Sequence, residues 1–411
     1  MVEQDRTAQR FLTGVNYWPR RKAMFWWSDF DAVEVADEFD VIAELGMEVV
    51  RIFLLWDDWQ RTPDTVSPQR LRDLGTVCDL AAARDLGLDV TFFTGHMSGP
   101  NWAPSWLLDA GAPAHSSPFV RQVISEGRAV ESRYRNMFHD PLALAAERLL
   151  LETVVGEYGE HEGIWMWNLG NEPDLFAHPA SAPEGARWVE EMTELVRSVD
   201  PTHPVTTGLH TANLLEDNGL RVHDVFASAD TAVMHGYPMY VPWARHPLDP
   251  DFVPFLCALV SALSGKPCLA EEWGGCTNPD GPDSVTWDWV SYGSPRSQFM
   301  AGEEDLAEYV EATLPRLVDV GATGAFLWCF ADYHESLWSR PPCEDHGARH
   351  ERHFGLVRGD GSLKPHAESI RKFAATEPMV EAPRRAVSLD VDAGGFYQDP
   401  VGHARRLYQM F

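Results

Sequence analysis

Trp167-Asn168-Leu169-Gly170-Asn171-Glu172-Pro173 is a short apolar run that ends at a glutamate, and Leu269-Ala270-Glu271-Glu272-Trp273-Gly274 repeats this pattern later in the chain. Each run is apolar on both faces and is followed at once by turn residues, which is typical of a strand buried in a parallel sheet. Parallel strands of a barrel present functional side chains at their carboxyl ends. The sequence therefore predicts that Glu172 and Glu272 share one rim.

Short apolar runs of this kind recur along the whole chain and alternate with amphipathic stretches of helical spacing. The predicted strands are 13–17, 49–54, 89–93, 164–168, 205–208, 231–235, 268–270 and 324–328, and the clearest helices are 33–45, 71–86, 142–158, 186–199, 252–263 and 306–320. Strands that alternate with helices indicate a parallel sheet of the α/β class. Eight such repeats predict a (β/α)8 TIM barrel.

A doubly wound sheet is the structural alternative to the barrel. It is disfavoured because the first predicted strand runs into Gly14-Val15-Asn16-Tyr17-Trp18-Pro19, with no glycine-rich phosphate loop. We expect one domain, with residues 1–376 as the catalytic barrel and residues 377–411 as a C-terminal tail packed on it. The long connections 95–140, 271–302 and 331–365 follow strands, so we expect them to wall a pocket.

Polar and aromatic residues recur at the same end of six predicted strands. Arg51 lies within the second strand, His96 follows the third, Asn171 and Glu172 follow the fourth, His235 and Tyr237 the sixth, Glu272 the seventh, and Trp328 closes the eighth. This set, in this order, resembles the retaining glycoside hydrolases of clan A and is most similar to family five. The resemblance spans about residues 13–376.

The resemblance implies a role for each member of the set. Glu272 would be the nucleophile and Glu172 the acid/base of a double displacement. Arg51 and Tyr237 would donate hydrogen bonds to Glu272, although Arg51 in a barrel salt bridge without a catalytic part is the alternative. Asn171 would bind the 2-hydroxyl of the sugar.

The remaining candidates would contact the substrate. His96 and His235 would bind sugar hydroxyls or orient the acid/base, and Trp328 would form a platform under the sugar ring, with core packing as its alternative. Trp102, after the third strand, is a further candidate for the pocket wall, with plain loop structure as its alternative.

Glu271 competes with Glu272 for the role of nucleophile because the two are adjacent. Successive residues of a regular strand point to opposite faces, so only one of them should face the pocket. The family pattern places the nucleophile directly before the aromatic residue. We therefore expect Glu272 to be the nucleophile and Glu271 to be a supporting or wall residue.

The composition narrows the classes of partner. A net charge of -29 would repel nucleic acid and anionic membranes, so we expect neither as a partner. The polar start of the chain and the six scattered cysteines predict a cytoplasmic protein with reduced thiols. The histidines around residues 334–353 match no zinc spacing, and the implied chemistry needs no cofactor and no metal. The sequence leaves the oligomeric state open.

An exo-acting enzyme on short β-linked oligosaccharides is the function that this sequence favours. Gly14-Val15-Asn16-Tyr17 near the start, together with Tyr397-Gln398-Asp399-Pro400 and Arg406-Leu407-Tyr408 near the end, resembles intracellular bacterial β-mannosidases. An endo-acting β-mannanase or β-1,4-glucanase is the alternative among enzymes. An inactive sugar-binding barrel is the alternative from another class.

Overall fold

Eight parallel strands form the centre of the computed structural model, which describes residues 9–113 and 122–411. The strands, in chain order, are β1 (Leu12–Asn16), β2 (Val49–Leu55), β3 (Gly87–Thr94), β4 (Ile164–Asn171), β5 (Val205–Gly208), β6 (Ala232–Gly236), β7 (Cys268–Trp273) and β8 (Gly324–Leu327). Neighbouring strands pair in parallel from β1 through β5 and from β6 through β8 back to β1. The His235 amide donates to the Leu209 carbonyl at 2.8 Å and joins β6 to β5.

Helices connect the strands and cover the outside of the sheet. They are α1 (Ala32–Glu44), α2 (Pro68–Ala82), α3 (Pro141–Tyr158), α4 (Ala182–Val199), α5 (Val222–Ser228), α6 (Phe252–Ser264), α7 (Glu303–Asp319), α8 (Pro365–Ala374) and, in the tail, α9 (Pro400–Met410). A parallel sheet with a helix after each strand is a (β/α)8 TIM barrel. The predicted fold class is confirmed.

Helix starts follow the capping signals of the sequence. Asp31 accepts hydrogen bonds from the amides of Val33 and Glu34 at the start of α1, and Asp140 caps α3 in the same way. Helix α2 begins at Pro68, three residues before the predicted start, because Ser67 caps it and proline suits the first helical position. The prediction was late because it relied on apolar spacing alone.

Strands β4 and β7 extend three residues beyond their predicted ends, and these extensions carry polar residues into the sheet. Strand β4 continues to Asn171 and β7 to Trp273, whereas apolar runs alone predicted ends at residues 168 and 270. The polar side chains in these extensions find hydrogen-bond partners inside the barrel, so they are compatible with burial.

Several short elements lie in the connections. An antiparallel hairpin of Val285–Ser291 and Ser294–Met300 follows β7, so the long connection after that strand is partly regular. Shorter pieces are Ala23–Phe25, Trp56–Trp59, Asn101–Trp102, Ser105–Leu107, Val123–Ser125, Arg128–Val130, Pro173–Phe176, Thr211–Leu214, Pro238–Tyr240, Glu335–Leu337, Arg349–His353 and Ala393–Phe396. Gln9–Arg10 pairs with Met379–Val380 across the amino-terminal end of the barrel.

The chain after residue 376 lies against the helices of the barrel. Tyr397 is 5% exposed; its hydroxyl donates to the Asn213 carbonyl at 2.9 Å and accepts from the Val222 amide at 2.8 Å. Tyr408 packs its ring against Phe255 and Phe252. The start of the chain up to residue 8, on which the cytoplasmic prediction depends, lies outside the described residues. In the part of the chain that the structure covers, no helix is long and apolar enough to cross a bilayer.

Replacing Tyr397 by Phe should destabilise the protein by about 1–3 kcal/mol, because a buried amide and a buried carbonyl each lose a partner. Urea unfolding of Tyr397→Phe against the parent measures the loss. The exposed neighbour variant Gln398→Ala is the control and should change the unfolding free energy by less than about 0.5 kcal/mol. Equal midpoints for Tyr397→Phe and the parent would contradict this role of the hydroxyl.

Candidate active site

A single guanidinium lies at the centre of the carboxyl ends of the strands. Arg51 on β2 is 0% exposed. Its Nη1 donates to Glu272 Oε1 at 2.5 Å and to Asn16 Oδ1 at 3.1 Å, its Nη2 donates to Asn171 Oδ1 at 3.0 Å, and its Nε donates to Thr91 Oγ1 at 2.9 Å. One side chain thereby connects five strands, β1, β2, β3, β4 and β7.

The two predicted carboxylates face each other above Arg51. One carboxylate oxygen of Glu172, one of Glu272 and a ring nitrogen of His235 all lie within 4.8 Å of one another. Glu172 takes a left-handed backbone conformation (φ 46°) directly after β4, which turns its side chain over the barrel end. The Tyr237 hydroxyl donates to the second oxygen of Glu272 at 3.1 Å. Glu172, Glu272 and His235 are ligand types that could also share a cation, although Arg51 already supplies positive charge to Glu272.

His235 joins Glu172 to Glu271. Its Nδ1 lies 2.9 Å from Glu172 Oε1 and its Nε2 lies 2.9 Å from Glu271 Oε2. Glu271 is 0% exposed, accepts from Asn168 Nδ2 at 3.0 Å and lies 3.5 Å from Arg51 Nη2. The glycine at 208 leaves room for this contact, since a Cβ there would come within 2.9 Å of His235 Cε1.

Strand alternation does not separate Glu271 from Glu272 in the way predicted, because β7 is irregular at this point. Met234 of β6 pairs with Ala270, but the next residue, His235, pairs with Glu272, so β7 holds one extra residue at this point. A bulge of this kind interrupts the alternation of faces. Both glutamates therefore contact Arg51 inside the barrel, Glu272 at the rim and Glu271 below it.

Burial and neighbouring charges shift the protonation of this cluster. Burial raises the pKa of Glu272, and the neighbouring Glu172 adds to this against the opposing effects of His235 and Arg51. Burial would lower the pKa of His235, but the charge of Glu272 and the hydrogen bonds to Glu172 and Glu271 raise it to about 9. Burial opposes the ionisation of Glu172, yet positive His210 and His235 lower its pKa below the usual range. In the hydrogen bond between Glu172 and His235, the proton is therefore bound to the imidazole.

Hydrogen bonds with other protein groups fix the side chains of Asn171 and His96 at this rim. Asn171 Nδ2 donates to the His96 carbonyl at 3.0 Å while its Oδ1 accepts from Arg51. His96 Nδ1 lies 2.8 Å from Asn101 Oδ1, and burial lowers the pKa of its imidazole. Their contacts with a sugar remain predictions.

The two predicted tryptophans lie in different places. Trp328 follows β8, is 5% exposed and meets the ring of Phe53 edge-on, with 5.8 Å between ring centroids. Trp102 is 1% exposed, and its indole N–H donates to the Met97 carbonyl at 3.1 Å. Trp102 lines a separate cavity of about 360 Å³, together with Phe25, Ser28, Leu55, Asp57, Asp58, Arg61, Glu126, Gly127 and Arg340. It is not among the side chains that contact Glu172 or Glu272.

His210 is a member of the site that the sequence analysis missed. It follows β5, its Nε2 lies 2.7 Å from Asp174 Oδ2, and it acts electrostatically on Glu172. Burial lowers the pKa of His210, but Asp174 and Glu172 raise it to about 9. The available signal was its position, because His210 stands two residues after β5 just as His96 stands two residues after β3.

Solved structures with the same fold include GH5_18 from Streptomyces cattleya in complex with GlcNAc, which is 21% identical with a TM-score of 0.75 and covers 96% of this chain and 88% of that chain. A substituted form of the same protein in complex with Manβ1-4GlcNAc is also 21% identical, with a TM-score of 0.74 and coverage of 98% and 92%. The exo-β-1,4-mannosidase Op5Man5 from Opitutaceae bacterium strain TAV5 is 23% identical, with a TM-score of 0.70 and coverage of 92% and 62%.

Sequence similarity extends to mannan endo-1,4-β-mannosidase A of Hypocrea jecorina, which is 24% identical over 276 residues. The match covers 62% of this chain and 59% of that protein, so the chain spans about three fifths of this curated relative. No family model matches the chain. The resemblance to family-five-like barrels of clan A is confirmed at the level of the fold.

Replacing Arg51 by Met should destabilise the protein by about 3–5 kcal/mol at pH 8, because the buried charges of Glu271 and Glu272 would lose their guanidinium partner and keep only His235 as a neighbouring cation. Loss of the cation raises the folded-state pKa of these carboxyls above the unfolded values. Stability is therefore lost as the pH rises through those pKa values, and the deficit should be smaller at pH 5 than at pH 8.

Guanidinium unfolding of Arg51→Met at the two pH values measures this difference. Arg148→Met removes an exposed pair with Glu191, whose side chains are 47% and 53% exposed, and should cost less than about 1 kcal/mol at both pH values. A pH-independent loss for Arg51→Met would contradict the electrostatic explanation.

Proposed function

We propose that this chain is a retaining β-glycosidase that removes the terminal β-mannosyl residue from short β-linked oligosaccharides. The observation that carries the proposal is the pair of facing carboxylates, with oxygens of Glu172 and Glu272 within 4.8 Å of each other. Retaining enzymes hold their two carboxyl groups about 5–5.5 Å apart, whereas inverting enzymes need about 6.5–9.5 Å to admit a water. The short separation supports retention.

In the proposed reaction, the carboxylate of Glu272 attacks the anomeric carbon while the bond to the leaving oxygen breaks. Glu172 takes up a proton before this step and gives it to that oxygen, and a covalent glycosyl-enzyme forms. Glu172, now a carboxylate, takes a proton from water, and the resulting hydroxide attacks the anomeric carbon and frees Glu272. No cofactor is needed, because water and two carboxyl groups balance both steps.

Arg51 and Tyr237 support the assignment of Glu272 as nucleophile. Both donate to its oxygens, at 2.5 Å and 3.1 Å, and hydrogen bonds to the ionised form of a carboxyl favour that form. Among the described residues, the hydrogen-bond partner of Glu172 is His235, whose pKa is raised to about 9, and no arginine donates to it. Imidazoles are common proton donors and acceptors in catalysis. The difference in surroundings suits one group to attack and the other to proton transfer.

The names of the similar proteins support mannose as the sugar. A GH5_18 structure holds Manβ1-4GlcNAc, Op5Man5 is an exo-β-1,4-mannosidase, and the sequence relative is a mannan endo-β-mannosidase. We propose a β-mannosyl residue at the cleavage site and a short sugar as leaving group, with the cytoplasm as the setting.

Contacts between loops support exo action. The loops after β3 and β8 meet across the barrel end, because Ser98 Oγ lies 2.8 Å from the Tyr333 hydroxyl. The loop after β8 is also bound to the loop after β1, where the His334 amide donates to the Arg20 carbonyl at 3.1 Å. An endo-acting enzyme needs an open groove on both sides of the cleavage site. The contacts among the loops after β1, β3 and β8 close one side, which favours exo action.

An endo-acting β-mannanase is the second candidate, favoured by the name of the Hypocrea relative. An inactive sugar-binding barrel is the third, and the retained pair of glutamates with Arg51 and Tyr237 argues against it. These candidates differ in measurable turnover.

Replacing Glu272 by Gly should abolish hydrolysis of ordinary β-mannosides, because no nucleophile remains. Added azide should restore turnover of 2,4-dinitrophenyl β-mannoside and yield the α-mannosyl azide. Glu172→Gly is the matched variant, and azide should convert it to a producer of the β-mannosyl azide, since Glu272 still forms the covalent intermediate. Full activity of Glu272→Gly without azide would remove the nucleophile assignment.

Exo action should appear as rapid release of aryl alcohol from an aryl β-mannoside with little loss of viscosity in a mannan solution. An aryl β-glucoside tests the choice of sugar and should react at least about tenfold more slowly. Rapid viscosity loss without aryl release would contradict the exo prediction and favour the endo-acting alternative. Sugar binding without turnover of any glycoside would favour the inactive barrel.

A further inference from the structure

Glu271 is a fully buried carboxylate for which the reaction described above has no use. It lies next to the proposed nucleophile, and the bulge in β7 turns it inward, where it accepts from Asn168 Nδ2 at Oε1 and contacts His235 Nε2 at Oε2. Glu271 is 0% exposed, so it does not touch a substrate. Its effect on the reaction must pass through a neighbour.

That neighbour is His235, whose two ring nitrogens are both engaged by carboxyl groups at 2.9 Å. An ionised carboxylate is only an acceptor, so the hydrogen at Nε2 stays on the ring whether His235 is charged or neutral. The hydrogen that can leave is the one at Nδ1, which faces Glu172. A carboxylate that accepts from one ring nitrogen in this way determines the tautomer of the imidazole.

We propose that Glu271 is a positioning residue that makes His235 the proton reservoir of the acid/base Glu172. The Nδ1 proton of His235 passes to Glu172 Oε1 along their hydrogen bond, which leaves a neutral imidazole that still carries its Nε2 hydrogen. Glu172 then donates the same proton to the leaving oxygen. When water later gives a proton to Glu172, the transfer runs back to Nδ1, and the charges at the end equal those at the start.

The charged groups around this chain of contacts are consistent with an ionised Glu271. Arg51 on β2 lies 3.5 Å from Glu271 and contributes positive charge, and its charge and the contact with His235 lower the pKa of Glu271 despite burial. Asp89 on β3 lies 3.9 Å from Arg51, and burial and the charge of Glu271 raise the pKa of Asp89 well above its usual range. Glu272 on β7, Glu172 after β4, His210 after β5 and His96 after β3 are the further titratable groups near this chain of contacts.

The test is Glu271→Gln, and it rests on the proposed β-mannosidase function. Glutamine keeps the shape of the side chain, but only its oxygen can accept a hydrogen bond. Its amide nitrogen must face either Asn168 Nδ2 or the N–H at His235 Nε2, and both of these are donors, so one of the two contacts is lost. When the amide nitrogen faces His235, it donates to Nε2, so the neutral imidazole carries its hydrogen at Nδ1. The proton can then no longer pass from Nδ1 to Glu172. Proton donation should suffer while attack by Glu272 should not.

Two substrates separate these effects. For Manβ1-4GlcNAc, whose leaving oxygen needs a proton, kcat/KM of Glu271→Gln should fall at least about 100-fold, within the usual contribution of general acid catalysis. For 2,4-dinitrophenyl β-mannoside, whose leaving group departs without a proton, kcat/KM should fall less than about tenfold. The alkaline limb of kcat/KM, expected near pH 9 in the parent, should move to lower pH because a negative charge beside His235 is lost.

Glu147→Gln is the matched control, since Glu147 is also fully buried and accepts from Trp188 Nε1 on the outer side of the barrel. This control should keep the pH profile and the ratio of the two rates. If kcat/KM of Glu271→Gln falls equally on both substrates and the alkaline limb of its pH profile does not shift, then Glu271 has only a structural role and the proposal is overturned. If the parent protein cleaves neither β-mannoside, the proposed function is overturned, and the proton transfer from His235 to Glu172 with it.

A measurement on the parent protein covers the case in which Glu271→Gln does not fold. Nitrogen-15 shifts of the His235 imidazole, identified by their absence in His235→Asn, should show Nε2 protonated at every pH and Nδ1 losing its proton at high pH. A neutral His235 with its hydrogen on Nδ1 would overturn the proposal.

Discussion

The charge of Arg51 has no access to solvent, and the carboxyl end of the barrel is arranged around it. Removing a guanidinium from water costs several kcal/mol unless hydrogen bonds and counter-charges surround it. Its partners come from β1, β3, β4 and β7, in the form of Asn16, Thr91, Asn171 and Glu272. A change in the register of any of these strands would leave buried polar groups unpaired. The constraint that stabilises the barrel end is therefore also the constraint that positions the proposed nucleophile.

The bulge in β7 lets one cation serve two adjacent carboxylates at different depths. Glu272 at the rim is 5% exposed and open to a substrate, whereas Glu271 below it is 0% exposed and meets only protein groups. His235 then links the lower carboxylate to Glu172 on the opposite side. Glu172 and Glu272 are thus connected below the site through His235, Glu271 and Arg51. The substrate would lie between the two proposed catalytic groups above this connection.

Several connections at the carboxyl end of the barrel are joined to one another by hydrogen bonds. Ser98 and Tyr333 connect the loops after β3 and β8, and the indole of Trp289 in the hairpin after β7 donates to the Gly347 carbonyl at 2.9 Å. In the proposed function, these contacts limit the size of the substrate, while the strand ends and the residues directly after them carry the chemistry. This separation is common in barrels, where loops vary on a constant frame of strands.

Local sequence was sufficient for the fold and for most of the rim. The eight apolar runs predicted the eight strands, and the polar residues after them identified Arg51, Glu172, His235, Tyr237 and Glu272, because strand and helix periodicities are short-range properties. The same reasoning failed for the orientation of Glu271, which depends on a bulge that the pairing of β7 with β6 and with β8 reveals. It also missed His210. Trp102, which was predicted for the pocket wall, lines a cavity together with Asp57 and Asp58, and its contact with a sugar stays a prediction. Which residues touch was decided by tertiary structure alone, since Arg51 and Glu272 are 221 positions apart in the chain and meet only when the barrel closes.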